Sequence, residues 1–295
     1  MTNPFAPAVR KQMKARVAFA GPTGSGKTWT ALQWATVLAD GDPIAVIDTE
    51  HGSAAFYSDV FTFDTVQFKP PYHPERLVKL LGIVAENGYG VVVVDSLSHF
   101  WEGEGGTIDI ADAAGQKARG NSFAGWKVAT PALRHLVDTM LAHPAHVLVT
   151  MRSKMEYVLE TDSRGKQVPR KVGMAPVMRA GVEYEFTLVG DMDFDHRLVI
   201  SKSRCSALAD EMVQPGRADE AAAVFRDWLN DGEIEAGPSG GGESSGQTLV
   251  AGNPAGESKD PTVPANLSLA PSELSGAGDG TVSNGGTDLT GEVVE

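Results

Sequence analysis

Between Val17 and about Met151 the chain alternates short apolar runs with longer amphipathic stretches. Two of the runs, Ile44-Ala45-Val46-Ile47 and Val91-Val92-Val93-Val94, are apolar without alternation, the pattern of strands buried on both faces of a parallel sheet. The periodicity predicts strands over 17–20, 44–48, 61–68, 91–95 and 146–151, and helices over 27–39, 75–86 and 127–142. Strands and helices in this alternation predict an α/β fold: a mostly parallel central sheet with helices on both faces. After Met151 the pattern changes to short alternating segments punctuated by turn residues. Tyr157-Val158-Leu159 and Gln167-Val168 flank Asp162-Ser163-Arg164-Gly165, and residues 183–189 and 197–201 flank 190–196, so two antiparallel hairpins follow the parallel core. A last helix from Ala218 to Leu229 closes a domain over 17–230, which an N-terminal arm, residues 1–16, precedes.

Composition separates the remainder. Residues 231–295 hold eleven carboxylates and one base, Lys259, in a background of Gly, Ser, Pro and Thr. Such a segment buries too little apolar surface to offset its ordering entropy, which predicts a disordered acidic tail. The tail accounts for −10 of the chain's net −13, so the first 230 residues carry only −3 and their partner is not dictated by overall charge. One cysteine, Cys205, excludes an internal disulfide and fits a reducing compartment. Neither a signal-peptide segment nor an apolar run of membrane-spanning length is present, so a soluble cytoplasmic protein without membrane contact is expected.

The chemistry begins at Gly21-Pro22-Thr23-Gly24-Ser25-Gly26-Lys27-Thr28, a full match to G-x-x-x-x-G-K-[ST] placed between a predicted strand and a predicted helix. Glycines at these positions let the backbone curl into a nest whose N–H groups face phosphate oxygens. Lys27 supplies a point charge for the β and γ phosphates. Thr28 opens the helix, where its hydroxyl can ligate Mg²⁺ beside the positive end of the helix dipole. A nucleoside triphosphate with Mg²⁺ is therefore the expected ligand. Asp95 ends the run Val91–Val94, as expected of the acid that holds the metal's water shell opposite Thr28. Glu50, in Ile47-Asp48-Thr49-Glu50-His51-Gly52, is placed to polarise the attacking water as general base, although an acid pair at a strand end is also a common turn or cap.

These residues carry a resemblance. Ala45-Val46-Ile47-Asp48-Thr49-Glu50-His51 followed by Tyr57, with Val92-Val93-Val94-Asp95-Ser96 farther on, resembles the RecA family of recombination ATPases. Together with Met174-Ala175-Pro176-Val177-Met178-Arg179 and Lys202-Ser203-Arg204, the chain over about 16–230 is most similar to phage-type RecA-like AAA ATPases, some of which anneal single strands. The resemblance implies a RecA-like P-loop core that hydrolyses ATP, with Glu50 as catalytic glutamate and Tyr57 stacked on adenine. It also implies that Lys202 and Arg204 reach the γ-phosphate of a neighbouring subunit in a homo-oligomer; an exposed edge-strand charge pair is the alternative. Where that family has a sensor glutamine, the strand Val147–Met151 has none, and Thr150 is the candidate substitute.

A nucleic-acid surface is expected over 152–179, where Arg152, Lys154, Arg164, Lys166, Arg170, Lys171 and Arg179 outnumber Glu156, Glu160 and Asp162. A basic, turn-rich excursion suits the backbone of single-stranded DNA, with Tyr157 as a stacking platform; a solvated hairpin of mixed charge is the alternative. The glycine-rich stretch 102–127 is a second candidate DNA loop. Phe5-Ala6-Pro7-Ala8 has the form of a short subunit-docking pattern, and a single-strand-binding protein is a further partner that a recombination role implies. Two readings remain: an ATPase acting on single-stranded DNA in recombination or annealing, and a nucleotide-dependent switch or scaffold that binds a protein and never touches DNA.

Overall fold

The computed structural model describes residues 13–161 and 167–231, with the backbone alone over 156–161 and 167–172. The expectations for the first twelve residues, for Arg164 and Lys166, for the side chains of Tyr157, Arg170 and Lys171, and for the tail beyond Asp231 lie outside the described residues.

Six strands run parallel in the order β3-β2-β4-β5-β1-β7: β1 (Arg16–Gly21), β2 (Ile44–Asp48), β3 (Asp64–Gln67), β4 (Val91–Asp95), β5 (His146–Thr161) and β7 (Leu188–Met192). β8 (Leu198–Ser203) and β9 (Met212–Val213) add antiparallel at the β7 edge, and β6 (Gln167–Pro176) pairs antiparallel with the outer part of β5. This is the expected fold class. Its helices are α1 (Lys27–Ala39), α2 (Pro74–Glu86), α3 (His99–Glu102), α4 (Thr107–Lys117), α5 (Ser122–Ala142) and α6 (Ala218–Asn230).

The unalternating runs are explained by the two faces. Val91 and Val93 of β4 pack with Val17, Phe19 and Val46 against α1 and α6, whereas Val92 and Val94 pack with Ala18, Ile47, Val147 and Val149 against α2 and α5. Successive side chains of one strand thus enter opposite apolar layers, so every position is apolar.

Two predicted features change. Residues 102–127, expected to be a loop, are largely helical. α5 begins at Ser122, because Asn121 Oδ1 accepts the Ala124 N–H at 3.2 Å, and it tolerates Pro131 in its interior. α4 lies against it through small residues, so closely that a Cβ on Gly125 would sit 2.1 Å from the Ala111 carbonyl oxygen. Glycine there is a packing requirement, not a loop signal. Trp101 and Trp126 stack at 5.6 Å between centroids. Likewise β5 continues ten residues past Met151, as one arm of the predicted first hairpin.

The amino end of the sheet depends on a buried cation. Arg16, 7% exposed, donates from Nε and Nη2 to the Leu141 carbonyl at 3.1 and 3.0 Å, and from Nη1 to the Ala15 and Ala145 carbonyls at 2.8 and 2.9 Å. It also donates to the His143 carbonyl. The guanidinium therefore closes the carboxyl end of α5, where free carbonyls and the helix dipole favour positive charge. Burial draws its pKa down to about 10. Next to it, His146 Nδ1 accepts the Ala15 N–H at 2.9 Å, which requires a bare ring nitrogen, and burial lowers its pKa to about 4.

Replacing Arg16 by methionine takes the guanidinium away from the Leu141, His143 and Ala145 carbonyls, while the Ala15 carbonyl keeps the Val147 N–H at 2.9 Å, and is expected to cost on the order of 3 kcal/mol, about 10 °C in Tm, measured by thermal melting followed by circular dichroism. The folded His146 stays neutral down to about pH 4, whereas the unfolded imidazole takes up a proton near 6.5. The unfolded state thus binds the extra proton in that window, and stability is expected to fall as pH drops from 6.5 to 4, by at most about 3 kcal/mol. Urea titrations at several pH values check this, and His146→Gln should flatten the trend.

Candidate nucleotide-binding site

At the carboxyl end of β1 the chain passes directly into the 21–28 loop and then α1. Gly24 and Gly26 hold φ of 80° and 91°, left-handed values that favour glycine. No side chain caps α1 and no acid occupies its first turn, so its leading amides and dipole are left for an anion. Lys27 Nζ donates to the Pro22 carbonyl at 2.7 Å, folded over the loop. Burial lowers its pKa, against the opposing pull of Asp95 and Glu50. Ser25 Oγ is buried beneath the loop with no hydrogen-bond partner among the described residues.

The register brings the strand-end acids to the same place. Asp48 of β2 pairs with Asp95 of β4, and Val94 with Val149 of β5. Asp95 is 2% exposed; Thr28 Oγ1 donates to one carboxylate oxygen at 2.6 Å and Thr150 Oγ1 donates to the other. Burial raises the Asp95 pKa against these two hydrogen bonds. Thr150, expected to sense the γ-phosphate, is thus turned onto Asp95.

Beyond β2, Asp48 accepts the N–H groups of Glu50 at 2.6 Å and Ala54 at 3.0 Å, which shapes the turn that presents Glu50. Thr49 ties that turn to β4: its N–H donates to the Asp95 carbonyl at 2.7 Å and its hydroxyl accepts the Ser96 N–H at 2.7 Å. The Thr49 hydroxyl also shares a 2.6 Å hydrogen bond with His99 Nδ1, whose ring stacks on Tyr72 at 4.9 Å. Glu50 itself is held by Arg152, whose Nε and Nη2 donate to its two oxygens at 2.9 and 2.6 Å. Burial pushes the Glu50 pKa up, but the hydrogen bonds and charge of Arg152 outweigh it and the net shift is downward. Arg152, grouped by sequence with the DNA-facing bases, therefore belongs to the strand-end cluster. That pairing was not legible because 102 positions separate the two residues.

Tyr57 ends the 3-10 helix Ser53–Tyr57 and lines a cavity of 480 Å³ with Gly24, Gly26, Lys27, Thr28 and Trp29. Its ring meets Trp29 edge-on at 5.5 Å. Met192, His196 and residues 214–216, which sequence reasoning did not include, line the same cavity. His196 arrives because the β7–β8 hairpin folds back: its Nδ1 would lie 3.4 Å from a Cβ placed on Gly26. Nothing local to 190–196 signals that return.

Lys202 and Arg204 differ. Lys202 Nζ donates to the carbonyls of Glu183, Tyr184 and Phe186 at 3.1, 2.5 and 2.6 Å, so its donors are all engaged within its own subunit. Arg204 is exposed, and its guanidinium makes no hydrogen bond or ion pair among the described residues. Lys154 is exposed on β5 where the ribbon leaves the sheet.

A family model described as an AAA domain matches residues 13–210. The chain belongs to the AAA domain family. No curated protein matches it. As an AAA domain it is a P-loop ATPase module with nucleotide-dependent activity, in keeping with the loop at 21–28. The match ends before β9 and α6, yet residues 214–216 line the cavity of this AAA domain and α6 packs on α1 through Phe225 and Trp34, 5.7 Å apart. Among the described residues no helix is long and apolar enough to cross a membrane.

Lys27→Ala is expected to weaken triphosphate binding by roughly 10–100-fold, the value of a hydrogen bond to a charged group, with the far-ultraviolet spectrum unchanged. Titration with a fluorescent nucleotide measures it.

Proposed function

We propose that this AAA domain is a RecA-like ATPase that hydrolyses ATP with Mg²⁺ and acts on single-stranded DNA in recombination or annealing, as a homo-oligomer with the nucleotide between subunits. One observation carries the reading: β5 is a single strand that bears Thr150 on Asp95 and Arg152 on Glu50, and then leaves the sheet as the arm of the basic ribbon. The catalytic cluster and the candidate DNA surface share one stretch of backbone.

In this mechanism the loop amides and Lys27 hold the β and γ phosphates. A hydroxyl and a carboxylate, both hard oxygen donors, meet at Thr28 and Asp95, and they would hold Mg²⁺, which neutralises charge developing on the phosphates. Glu50 orients the water for in-line attack, and its carboxylate is kept ionised by Arg152. Tyr57 and Trp29 offer aromatic surface to the base in the adjoining cavity. Of the two late-strand bases, Arg204 is the one free to act on a neighbour's γ-phosphate, because Lys202 is engaged at home.

A nucleotide-dependent switch that binds a protein partner is the second reading. The placement of Arg152 favours it, since it removes one of the bases assigned to DNA and leaves Lys154 and Arg179 as the members of that set with a described, exposed side chain.

Glu50→Gln is expected to retain nucleotide binding and to lose at least about 100-fold in turnover, the usual worth of a positioned general base. Phosphate release under single-turnover conditions measures it; an unchanged rate removes Glu50 from the mechanism. For the DNA role, affinity for a labelled oligonucleotide with ATP should fall with salt, with a slope of about −0.7 per phosphate contacted. Absence of binding at low salt selects the switch.

A further inference from the structure

Thr49 is 1% exposed, and its hydroxyl stands among more partners than it has protons to give. The oxygen accepts the Ser96 N–H at 2.7 Å, and its one proton has two acceptors in reach: His99 Nδ1 at 2.6 Å and the Ser96 carbonyl at 3.2 Å. The shorter contact wins while the imidazole is neutral, which places the ring proton on Nε2. Protonation of the ring reverses it. Nδ1 then carries hydrogen and donates to the Thr49 oxygen, and the hydroxyl proton has to turn to the Ser96 carbonyl.

Thr49 lies between the two acids of the turn beyond β2. Its N–H donates to the Asp95 carbonyl at 2.7 Å and Tyr72 Oη donates to its carbonyl at 3.5 Å, while Asp48 accepts the Glu50 and Ala54 N–H groups on either side. His99 is the first residue of α3, and its ring stacks on Tyr72 within 17° of parallel. Its Nε2 makes no hydrogen bond or ion pair among the described residues. The charged and titratable groups around the ring are Asp48, Glu50 and His51 at the end of β2, Arg152 on β5, Glu102 on its own helix, and Tyr72 with Glu104 beside it. Burial and the Arg152 charge outweigh the carboxylates, so the His99 pKa is lowered and the ring is neutral near pH 7.

We propose that neutral His99 is a positioning residue for hydrolysis: by accepting the Thr49 hydroxyl at Nδ1 it fixes the turn that aims Glu50, and protonation of the ring releases that hold. The proposal deepens the function above, because it rests on Glu50 acting as the base. A displaced general base slows the chemical step, whereas the nucleotide contacts of the 21–28 loop stay in place, so the effect falls on turnover and not on affinity. Turnover is expected to decline as pH falls and His99 takes up its proton.

Single-turnover hydrolysis and fluorescent-nucleotide affinity, measured on the full chain with Mg²⁺ across this pH range, test it. His99→Phe keeps a flat ring on Tyr72 and removes the acceptor; turnover at pH 7 is expected to fall roughly 5–10-fold, the worth of one hydrogen bond, with affinity changed less than about threefold. His99→Asn offers an amide oxygen in place of Nδ1 and cannot be protonated. It should keep turnover within about threefold and lose the acid limb that the unaltered protein shows between the ordinary carboxylate and imidazole values of 4.5 and 6.5. Thr49→Val removes the hydroxyl, should cost at least as large a factor, and should make His99→Phe silent in its background. An acid limb unchanged in His99→Asn overturns the proposal, as does a His99→Phe loss of equal size with and without the Thr49 hydroxyl. Should Thr49→Val fail to fold, the acid limb of His99→Asn decides. Glu50→Gln separates the two readings. Full turnover there overturns the base assignment, whereas lost turnover together with additive His99 and Thr49 effects overturns the positioning role alone.

Discussion

A single buried carboxylate organises the working end of this AAA domain. Asp95 is 2% exposed, and an ionised group at that depth is tolerated only where its oxygens are hydrogen-bonded. Thr28 supplies one bond from the first turn of α1 and Thr150 the other from β5, while the backbone carbonyl of Asp95 receives the Thr49 N–H from the end of β2. Four elements meet at one residue. The phosphate loop, the turn that presents Glu50 and the strand that becomes the ribbon are thereby held in a common register, and a shift in any one of them leaves an oxygen of Asp95, carboxylate or carbonyl, without its donor.

The parallel sheet makes that convergence possible. Six strands running in the same direction bring the carboxyl ends of their parallel stretches to one edge, where the loop at 21–28, Glu50, Asp95 and Arg152, the last β5 residue paired with β1, are found. Rigid strands place groups more reproducibly than loops do, which suits a site assembled from several strand ends. At the opposite end Arg16 does the corresponding structural work, binding the carboxyl end of α5 to β1 through carbonyl oxygens alone. The nucleotide cavity is then closed by parts beyond the AAA match, residues 214–216, while α6 packs behind α1. The phosphate-handling end thus lies within the family match, and part of the wall beside it comes from residues after that match.

Most of the sheet was legible because burial on both faces forces unbroken apolar runs, and the β2 and β4 boundaries follow those runs residue for residue. α4 was not legible. Its flanking glycines and polar composition read as loop, whereas Ala111, Gly115 and Gly125 are small because two helices approach to backbone contact. β5 was read too short for a related reason: its apolar pattern stops at Met151, where the sheet's two helical layers end, but its backbone pairing continues with β6. Hydrophobic periodicity reports burial, and a ribbon outside the core has little of it to report.

The chain by itself determined the phosphate loop, the strand-end acids and the succession of the parallel strands β1 to β5, since each is written in contiguous residues whose spacing has a local physical cause. Only the tertiary structure decided what those residues touch: that Arg152 clasps Glu50 from 102 positions away, that Thr28 reaches Asp95 across 67, that Lys202 is taken up by the carbonyls of 183–186, and that His196 returns to the phosphate loop. A charged side chain chooses its partner by distance and desolvation in the folded state, and both are set by how the strands are ordered in the sheet, a quantity that no local window of the chain contains.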